Sequence, residues 1–246
     1  MKAIILAAGR GRRMGARTDA GPKCLTMLCG KALLDWQLEA LRASGADTVG
    51  IVRGYMAEHI VRDGVQPFHN PRWAETNMVA SLVCASSWLS SDDCLVSYSD
   101  IAYPGSTARL LADAQDDVVI AYARRWRSLW EARFEDPLAD AETFRVDVEG
   151  RLLEIGARPS DLDDIQGQYM GLLRFTPRGW RSVERLLQEL SPRRRDEIDV
   201  TAMLQLLLER DQLIRAVPVE QPWYEVDTQS DLELYQAWAL RDGGLF

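Results

Sequence analysis

Near its start the sequence reads Lys2-Ala-Ile-Ile-Leu-Ala-Ala-Gly-Arg-Gly-Arg-Arg-Met14. A continuous apolar run is typical of a strand buried within a parallel sheet, so we predict a strand over residues 2–6. The glycines that follow predict a loop over 7–15, where backbone N–H groups can approach a phosphate chain closely. Arg13 and Lys23 would add positive charge there. This stretch therefore predicts an anion-binding loop at the end of a central strand.

Strands and helices alternate after this opening. Periodicity predicts strands over 48–52, 94–98 and 118–123, and helices over 32–44, 56–62, 78–89 and 106–115. This alternation is typical of a three-layer α/β fold with a mostly parallel sheet.

The pattern changes after residue 123. Residues 124–142 are charged and aperiodic, and alternating apolar residues on either side of Glu149-Gly150 predict a hairpin over 144–155. The later predictions are strands over 168–175, 213–219 and 223–226, helices over 177–190 and 200–210, and a last helix that begins at Ser230 with a capping box. We expect one domain with a small β-rich insertion.

The charge balance limits the classes of partner. The chain of 246 residues carries 29 Lys and Arg against 37 Asp and Glu, a net charge of -8, yet residues 1–31 contain seven basic residues and one acid. An acidic protein is a poor nucleic-acid binder, and a basic segment on it indicates a small anionic ligand. No apolar run has the length of a membrane span, and four cysteines without a CxxC pair predict a cytoplasmic protein.

The opening resembles the signature L-A-A-G-x-G-x-R-[LM]…P-K-x-L of nucleotidyltransferases that activate sugar phosphates and phosphocholine; its second part here is Pro22-Lys-Cys-Leu25. The resemblance implies a Rossmann-like α/β/α fold with a mostly parallel mixed sheet. It implies a nucleotide-binding part over 1–123, an acceptor-binding part over 124–227 and a C-terminal helix over 228–246. It also implies that Lys23 and Arg13 are catalytic. The nucleotide-binding residues it implies in the loop are Leu6, Ala7, Ala8, Gly9, Arg10 and Gly11.

Two aspartates follow predicted strands. Asp100 ends one strand and Asp227 ends Trp223-Tyr-Glu-Val-Asp227. Carboxylate oxygens at two strand ends could hold Mg²⁺ between a triphosphate and its acceptor. In the resembled family the corresponding acids are the two metal ligands, so the resemblance implies a Mg²⁺ site on Asp100 and Asp227, with Asp100 also beside the nucleotide.

A third segment, Asn70-Pro-Arg-Trp-Ala-Glu-Thr-Asn-Met-Val-Ala-Ser-Leu82, is similar to a stretch of phosphocholine-type cytidylyltransferases that lies beside the base. Asn77 and Ser81 are four residues apart, so on a helix both could face one ligand. Helix capping by Asn77 is the alternative. The similarity implies CTP as the nucleotide.

The acceptor is expected to bind polar and aromatic groups of the later region: Arg124, Trp126, Trp130, Arg133, Gln168 and Tyr169. Arginines suit an anionic acceptor, whereas choline would need an aromatic box of Trp126 and Trp130. The strings Asp136-Pro-Leu-Ala-Asp-Ala-Glu-Thr-Phe144 and Gly167-Gln-Tyr-Met-Gly-Leu172 resemble those of cytidylyltransferases of phosphonate metabolism.

The sequence thus predicts transfer of CMP from CTP to a small phosphonate, such as phosphonoformate or 2-aminoethylphosphonate, with release of pyrophosphate. Phosphocholine and sugar 1-phosphates are the alternative acceptors, and a catalytically silent nucleotide-binding module is the alternative from another class. We expect a monomer or homodimer without nucleic-acid or membrane partners.

Overall fold

A computed structural model describes the backbone of residues 1–246 and every side chain except those of Ala16 and Arg17, so Arg17 of the basic opening segment lies outside the described side chains. The strands are β1 (Lys2–Ala7), β2 (Met27–Leu28), β3 (Lys31–Ala32), β4 (Thr48–Arg53), β5 (Val65–His69), β6 (Cys94–Tyr98), β7 (Ile101–Ala102), β8 (Val118–Ala123), β9 (Phe144–Val146), β10 (Leu152–Ile155), β11 (Gln168–Phe175), β12 (Arg215–Val219) and β13 (Tyr224–Glu225). The α-helices are α1 (Leu33–Ala43), α2 (Met78–Val83), α3 (Ser86–Leu89), α4 (Gly105–Ala112), α5 (Trp126–Arg133), α6 (Pro177–Glu189), α7 (Pro192–Glu197), α8 (Val200–Leu208) and α9 (Gln229–Asp242).

Seven strands form the central sheet in the order β12-β8-β11-β6-β1-β4-β5. Strand β11 runs antiparallel to both of its neighbours, and the other pairs are parallel. Helices α1 and α4 pack on each other, and α6 packs on α8 and β11. The predicted mostly parallel mixed sheet of an α/β fold is confirmed. Strand β1 lies inside the sheet and Ala3–Ile5 are fully buried, as its apolar run predicts.

The β-rich insertion is small. Of the strands after residue 123, β9 and β10 form a separate antiparallel hairpin and β13 pairs with β7, whereas β11 and β12 flank β8 within the central sheet. Segments before and after residue 123 therefore share one sheet, and the predicted division at that position stays a prediction.

Two helix predictions were wrong, and the start of a third helix is shifted by one residue. The predicted helix over 78–89 is two helices, α2 and α3, and the predicted helix over 56–62 is a short 3-10 turn, Ala57–His59. The last helix begins at Gln229, because Thr228 and Asp231 form its capping box. Helix α5 was missed within the aperiodic segment, although Trp126, Leu129 and Trp130 are buried at helical spacing.

A short strand pair brings two distant chain segments together at the carboxyl end of β6. Strand β7 pairs antiparallel with β13, and the Val226 N–H donates to the Asp100 carbonyl at 2.9 Å. This pairing places Asp100 beside Asp227, at the edge of the sheet where α/β proteins bind ligands.

In the part of the chain that the structure describes, no helix combines the length and the apolar character needed to cross a bilayer.

Gly171 is a position where the fold requires glycine. It lies in the irregular stretch of β11 with φ 72°, and a Cβ there would come within 2.6 Å of the Tyr98 ring. We expect Gly171→Ala to lower the free energy of unfolding by about 2–4 kcal/mol, the sum of backbone strain and overpacking. Urea denaturation measures the change.

Gly64→Ala is the matched control, because Gly64 also has a positive φ but open space around its Cβ position. It should lose only about 1 kcal/mol. Equal losses in the two variants would show that Tyr98 does not restrict this part of β11.

Candidate active site

The site is centred on the ammonium group of Lys23. Its Nζ donates to Asp100 Oδ2 at 2.8 Å and to Asp227 Oδ1 at 2.7 Å, and its side chain is 8% exposed. Gly11 lies against the stem of Lys23, where a Cβ would come within 2.7 Å of Cδ. The glycine loop therefore packs directly on the buried lysine and fixes its direction.

The charges of this cluster stabilise one another. Burial alone would lower the pKa of Lys23, but the charges and hydrogen bonds of Asp100 and Asp227 outweigh burial and raise it above its ordinary value. Burial alone would raise the pKa of Asp227, yet the nearby charges of Lys23 and Arg13 help to hold it below its ordinary value. Arg13 Nη2 lies 2.9 Å from Asp227 Oδ1. Lys23 and Asp227 are thus charged at neutral pH.

Arg133 pairs with Asp227 Oδ2, whereas Lys23 contacts Oδ1 of the same carboxylate. The Arg133 side chain is fully buried and contacts Glu225, Asp227 and Asp231 at 3.0, 3.3 and 3.0 Å. Asp231 is also the capping-box residue of α9 and accepts from the Asp227 N–H. The sequence predicted that Arg133 binds the acceptor. The structure places it in an internal ion-pair network, because three carboxylates use its guanidinium.

A cavity of about 330 Å³ lies between the glycine loop and the end of β6. Eight residues predicted for the site line it: Leu6, Ala8, Gly9, Gly11, Arg13, Lys23, Ser81 and Asp100. Arg12, Met78, Tyr98 and Ser99 also line it and were not predicted; Arg12 could have been inferred from its place in the loop. We call this cavity the nucleotide pocket.

Three residues predicted to bind nucleotide lie away from its lining. Ala7 is buried in β1. Arg10 pairs with Asp19 and lies over the Tyr55 ring. The Asn77 side chain caps α2 and donates to the Glu197 carbonyl at 3.1 Å. Its contacts are therefore those of a helix cap, which the sequence offered as the alternative to nucleotide binding.

A second cavity of about 300 Å³, the acceptor pocket, adjoins the first. Of the residues predicted to bind the acceptor, Trp130, Gln168 and Tyr169 line it. Arg124 is exposed beside Glu220, and the buried Trp126 donates to the Ile165 carbonyl at 3.2 Å, so neither is brought to the pocket.

Sequence reasoning missed the acids of the acceptor pocket. Asp140, Glu142 and Asp199 line it. The sequence offered Asp140 and Glu142 only as part of the 136–144 string, and Asp199 first as a helix cap and only secondarily as a residue that could reach the acceptor. The first two lie in the string that resembles phosphonate enzymes, which was the available signal. Their common location follows from long-range packing of three chain segments, which spacing along the sequence does not reveal.

The donor set at Asp100 and Asp227 suits Mg²⁺. Asp100 Oδ1 is buried without a hydrogen-bond partner among the described atoms, so one lone-pair site is open. Across the described residues, no group of three or more His, Cys, Asp or Glu is arranged to hold a metal. Mg²⁺ is commonly bound by one or two carboxylates, with phosphate oxygens and waters completing its shell. Two carboxylates at the border of this basic cavity fit that pattern.

Comparison with known proteins identifies the family. The model of the MobA-like NTP transferase domain matches residues 3–197. The chain belongs to the MobA-like NTP transferase family. It is therefore a nucleotidyltransferase, as the opening motif predicts.

Two relatives agree with this assignment, and one solved structure shares the fold. The CTP:phosphoglutamine cytidylyltransferase of Campylobacter jejuni is 31% identical over 250 residues, which cover 95% of this chain and 98% of that protein. The choline-phosphate cytidylyltransferase of Streptococcus pneumoniae is 37% identical over 86 residues, 33% of this chain and 38% of that protein. The inositol-1-phosphate CTP transferase from T. maritima has the same fold, with a TM-score of 0.75 at 20% identity over 95% of this chain and 94% of that one.

Removing Arg133 should destabilise this nucleotidyltransferase. Arg133→Met would leave the carboxylates of Glu225, Asp227 and Asp231 without their buried partner. We expect the free energy of unfolding to fall by about 3–5 kcal/mol, measured by urea denaturation.

Arg127→Met on the same helix is the control, because Arg127 is half-exposed and pairs with Glu131 and Asp163 at the surface. Its effect should be about 1 kcal/mol or less. Similar small losses in both variants would contradict the role given to Arg133.

Proposed function

We propose that this nucleotidyltransferase transfers CMP from CTP to a small acceptor with a phosphonate or phosphate group and releases pyrophosphate. The observation that carries the proposal is the junction of the two pockets. They share Arg13, Met78 and Tyr98, and the buried Lys23–Asp227 pair lies where they meet. Two molecules bound there would have their phosphorus groups next to one another. The cytidylyltransferase relatives support CTP as the donor.

The chemical step follows from this arrangement. An oxygen of the acceptor attacks the α-phosphorus of CTP, the bond between the α-phosphorus and the bridging oxygen breaks, and pyrophosphate leaves with that oxygen. The attacking oxygen is already anionic, so the reaction needs no general base. Positioning and neutralisation of charge then supply most of the catalysis.

Each residue of the cluster has a role in this proposal. The amides of the glycine loop and Arg13 hold the triphosphate, since Arg13 is 64% exposed and borders both pockets. Lys23 contacts the acceptor or the α-phosphate. Asp100 and Asp227 hold Mg²⁺, which when bound supplies positive charge to the phosphate oxygens. A catalytically silent module has no chemical need for both acids together with Lys23.

Among the possible acceptors we propose a small phosphonate, because the segments 136–144 and 167–172 resemble those of cytidylyltransferases of phosphonate metabolism. Phosphocholine is the second candidate, because the Streptococcus relative acts on choline phosphate and matches part of the chain. A sugar 1-phosphate is the third.

A substrate panel tests the proposal. Pyrophosphate release is measured with CTP, UTP, GTP and dTTP against phosphonates, phosphocholine and sugar 1-phosphates, with Mg²⁺ and after chelation. We expect release with CTP and a phosphonate in the presence of Mg²⁺. Tight CTP binding without turnover on any acceptor would favour the silent module instead.

Substitutions at the centre of the site test the assigned roles. Lys23→Ala and Asp227→Ala should each lower kcat by at least about 10²-fold, since each removes a charge beside the reacting phosphorus. Lys31→Ala is the control, because Lys31 pairs with Glu39 away from both pockets. Circular dichroism confirms that each variant is folded. Unchanged pyrophosphate release in a folded variant would remove that residue from the mechanism.

A further inference from the structure

A buried asparagine lies directly behind the lining of the nucleotide pocket. Asn70 follows β5 and is 3% exposed. Its Nδ2 donates to Thr76 Oγ1 and to Ser81 Oγ, both at 3.0 Å, and its Oδ1 accepts from the Arg72 N–H at 2.9 Å. Both N–H bonds of the amide are used inside the protein, so Asn70 itself has no donor left for a ligand.

The orientation of this amide is fixed by its neighbours. A backbone N–H can only donate, so the Arg72 N–H faces the amide oxygen and the amide NH₂ group faces the two hydroxyls. The Thr76 hydroxyl gives its own proton to the Arg72 carbonyl at 2.9 Å. Thr76 can therefore only accept from Asn70, and the direction of the network cannot be reversed from that side.

This network sets the direction of the Ser81 hydroxyl proton. A hydroxyl has one proton, and because Ser81 Oγ accepts from Asn70 Nδ2, that proton points elsewhere. Among the residues that the structure describes, no atom accepts it. Ser81 is 6% exposed and lines the nucleotide pocket. It therefore offers this pocket a hydrogen-bond donor.

Ser81 lies towards the end of the pocket that is remote from Lys23. The Lys23–Asp100 pair lies at the end of β6, whereas Asn70 follows β5. Strands β1 and β4 separate β6 from β5 in the sheet, so the two positions are three strand spacings apart, about 14 Å. With the triphosphate held at the basic loop, the base of the nucleotide extends towards Ser81.

We propose that Asn70 is a positioning residue for base selection, which fixes Ser81 as a donor to N3 of cytosine. This inference rests on the proposed function. N3 of cytosine is an acceptor, whereas N3 of uracil carries a hydrogen that would oppose the Ser81 proton. A site whose polar group is left unpaired by the wrong ligand discriminates against that ligand. The choice between CTP and UTP is thus made by the direction of one proton.

Asn70→Asp tests the inference, because this nearly isosteric change reverses the network. The oxygen that replaces Nδ2 can only accept when the carboxyl group is ionised, so the Ser81 proton turns towards it and lone pairs face the base. N3–H of uracil then has an acceptor and N3 of cytosine has no donor. We expect the ratio of the Kd for UTP to the Kd for CTP to fall by about 10- to 100-fold.

Isothermal titration calorimetry with Mg²⁺, and with no acceptor present, measures both Kd values. The titrations are made at about pH 8, where an aspartate carboxyl group is ionised. A merely structural loss would weaken CTP and UTP binding equally and leave their ratio unchanged. Circular dichroism confirms that each variant is folded.

Ser81→Ala separates the hydroxyl from the asparagine. Without the hydroxyl, CTP and UTP should bind with nearly equal affinity, and Asn70→Asp added to this variant should not change the ratio further. Asn77→Asp is the matched control, because it makes the same change of charge one helical turn from Ser81. Its carboxylate keeps the oxygen that caps α2 and does not contact the Ser81 hydroxyl, so the ratio should equal that of the unchanged protein.

The outcomes separate this inference from the function on which it rests. An unchanged ratio in Asn70→Asp, or equal affinity for CTP and UTP in the unchanged protein, would overturn the role of Asn70. If Asn70→Asp does not fold, Ser81→Ala decides, and a retained preference for CTP in that variant would overturn it. A shifted ratio without pyrophosphate release on any acceptor would overturn the proposed function and leave base selection by Asn70 supported.

Discussion

The Lys23 ammonium between Asp100 and Asp227 joins three segments that are far apart in the chain. A buried charge is costly unless it is paired, so the surrounding structure is arranged to keep these groups together. The β7–β13 pair places the two aspartates, Gly11 leaves room for the lysine stem, and Arg133 holds the far oxygen of Asp227. Because Asp231 ties the cap of α9 to the same network, the C-terminal helix also depends on it.

The charged residues of the molecule are distributed unevenly between its two pockets. The net charge of -8 conceals a basic loop at the nucleotide pocket and a group of unpaired acids at the acceptor pocket. The two pocket linings therefore differ in the sign of their charge, and Asp140, Glu142 and Asp199 of the second lining have no ion-pair partner among the described side chains.

The local parts of this structure could be predicted from the sequence. The apolar run of β1, the glycine loop, and Asp100 at the end of β6 all follow from patterns within a few residues. The partners of the side chains could not be predicted, because they depend on packing between segments that are distant in the sequence. Arg133 has the sequence character of a surface residue but is buried among three acids. The Asn77 side chain caps helix α2 and donates to the Glu197 carbonyl. Asp140, Glu142 and Asp199 meet only in the folded chain.

The central claim is that the junction of the two pockets joins the α-phosphorus of CTP to an acceptor oxygen. Phosphorus-31 NMR of a reaction with CTP, Mg²⁺ and 2-aminoethylphosphonate tests this most directly, because it identifies which bond has broken. We expect loss of the three CTP resonances, appearance of pyrophosphate, and a pair of coupled resonances from a phosphonate joined to the phosphate of CMP. Formation of CDP with inorganic phosphate, or CTP that stays intact beside free 2-aminoethylphosphonate, would contradict the claim.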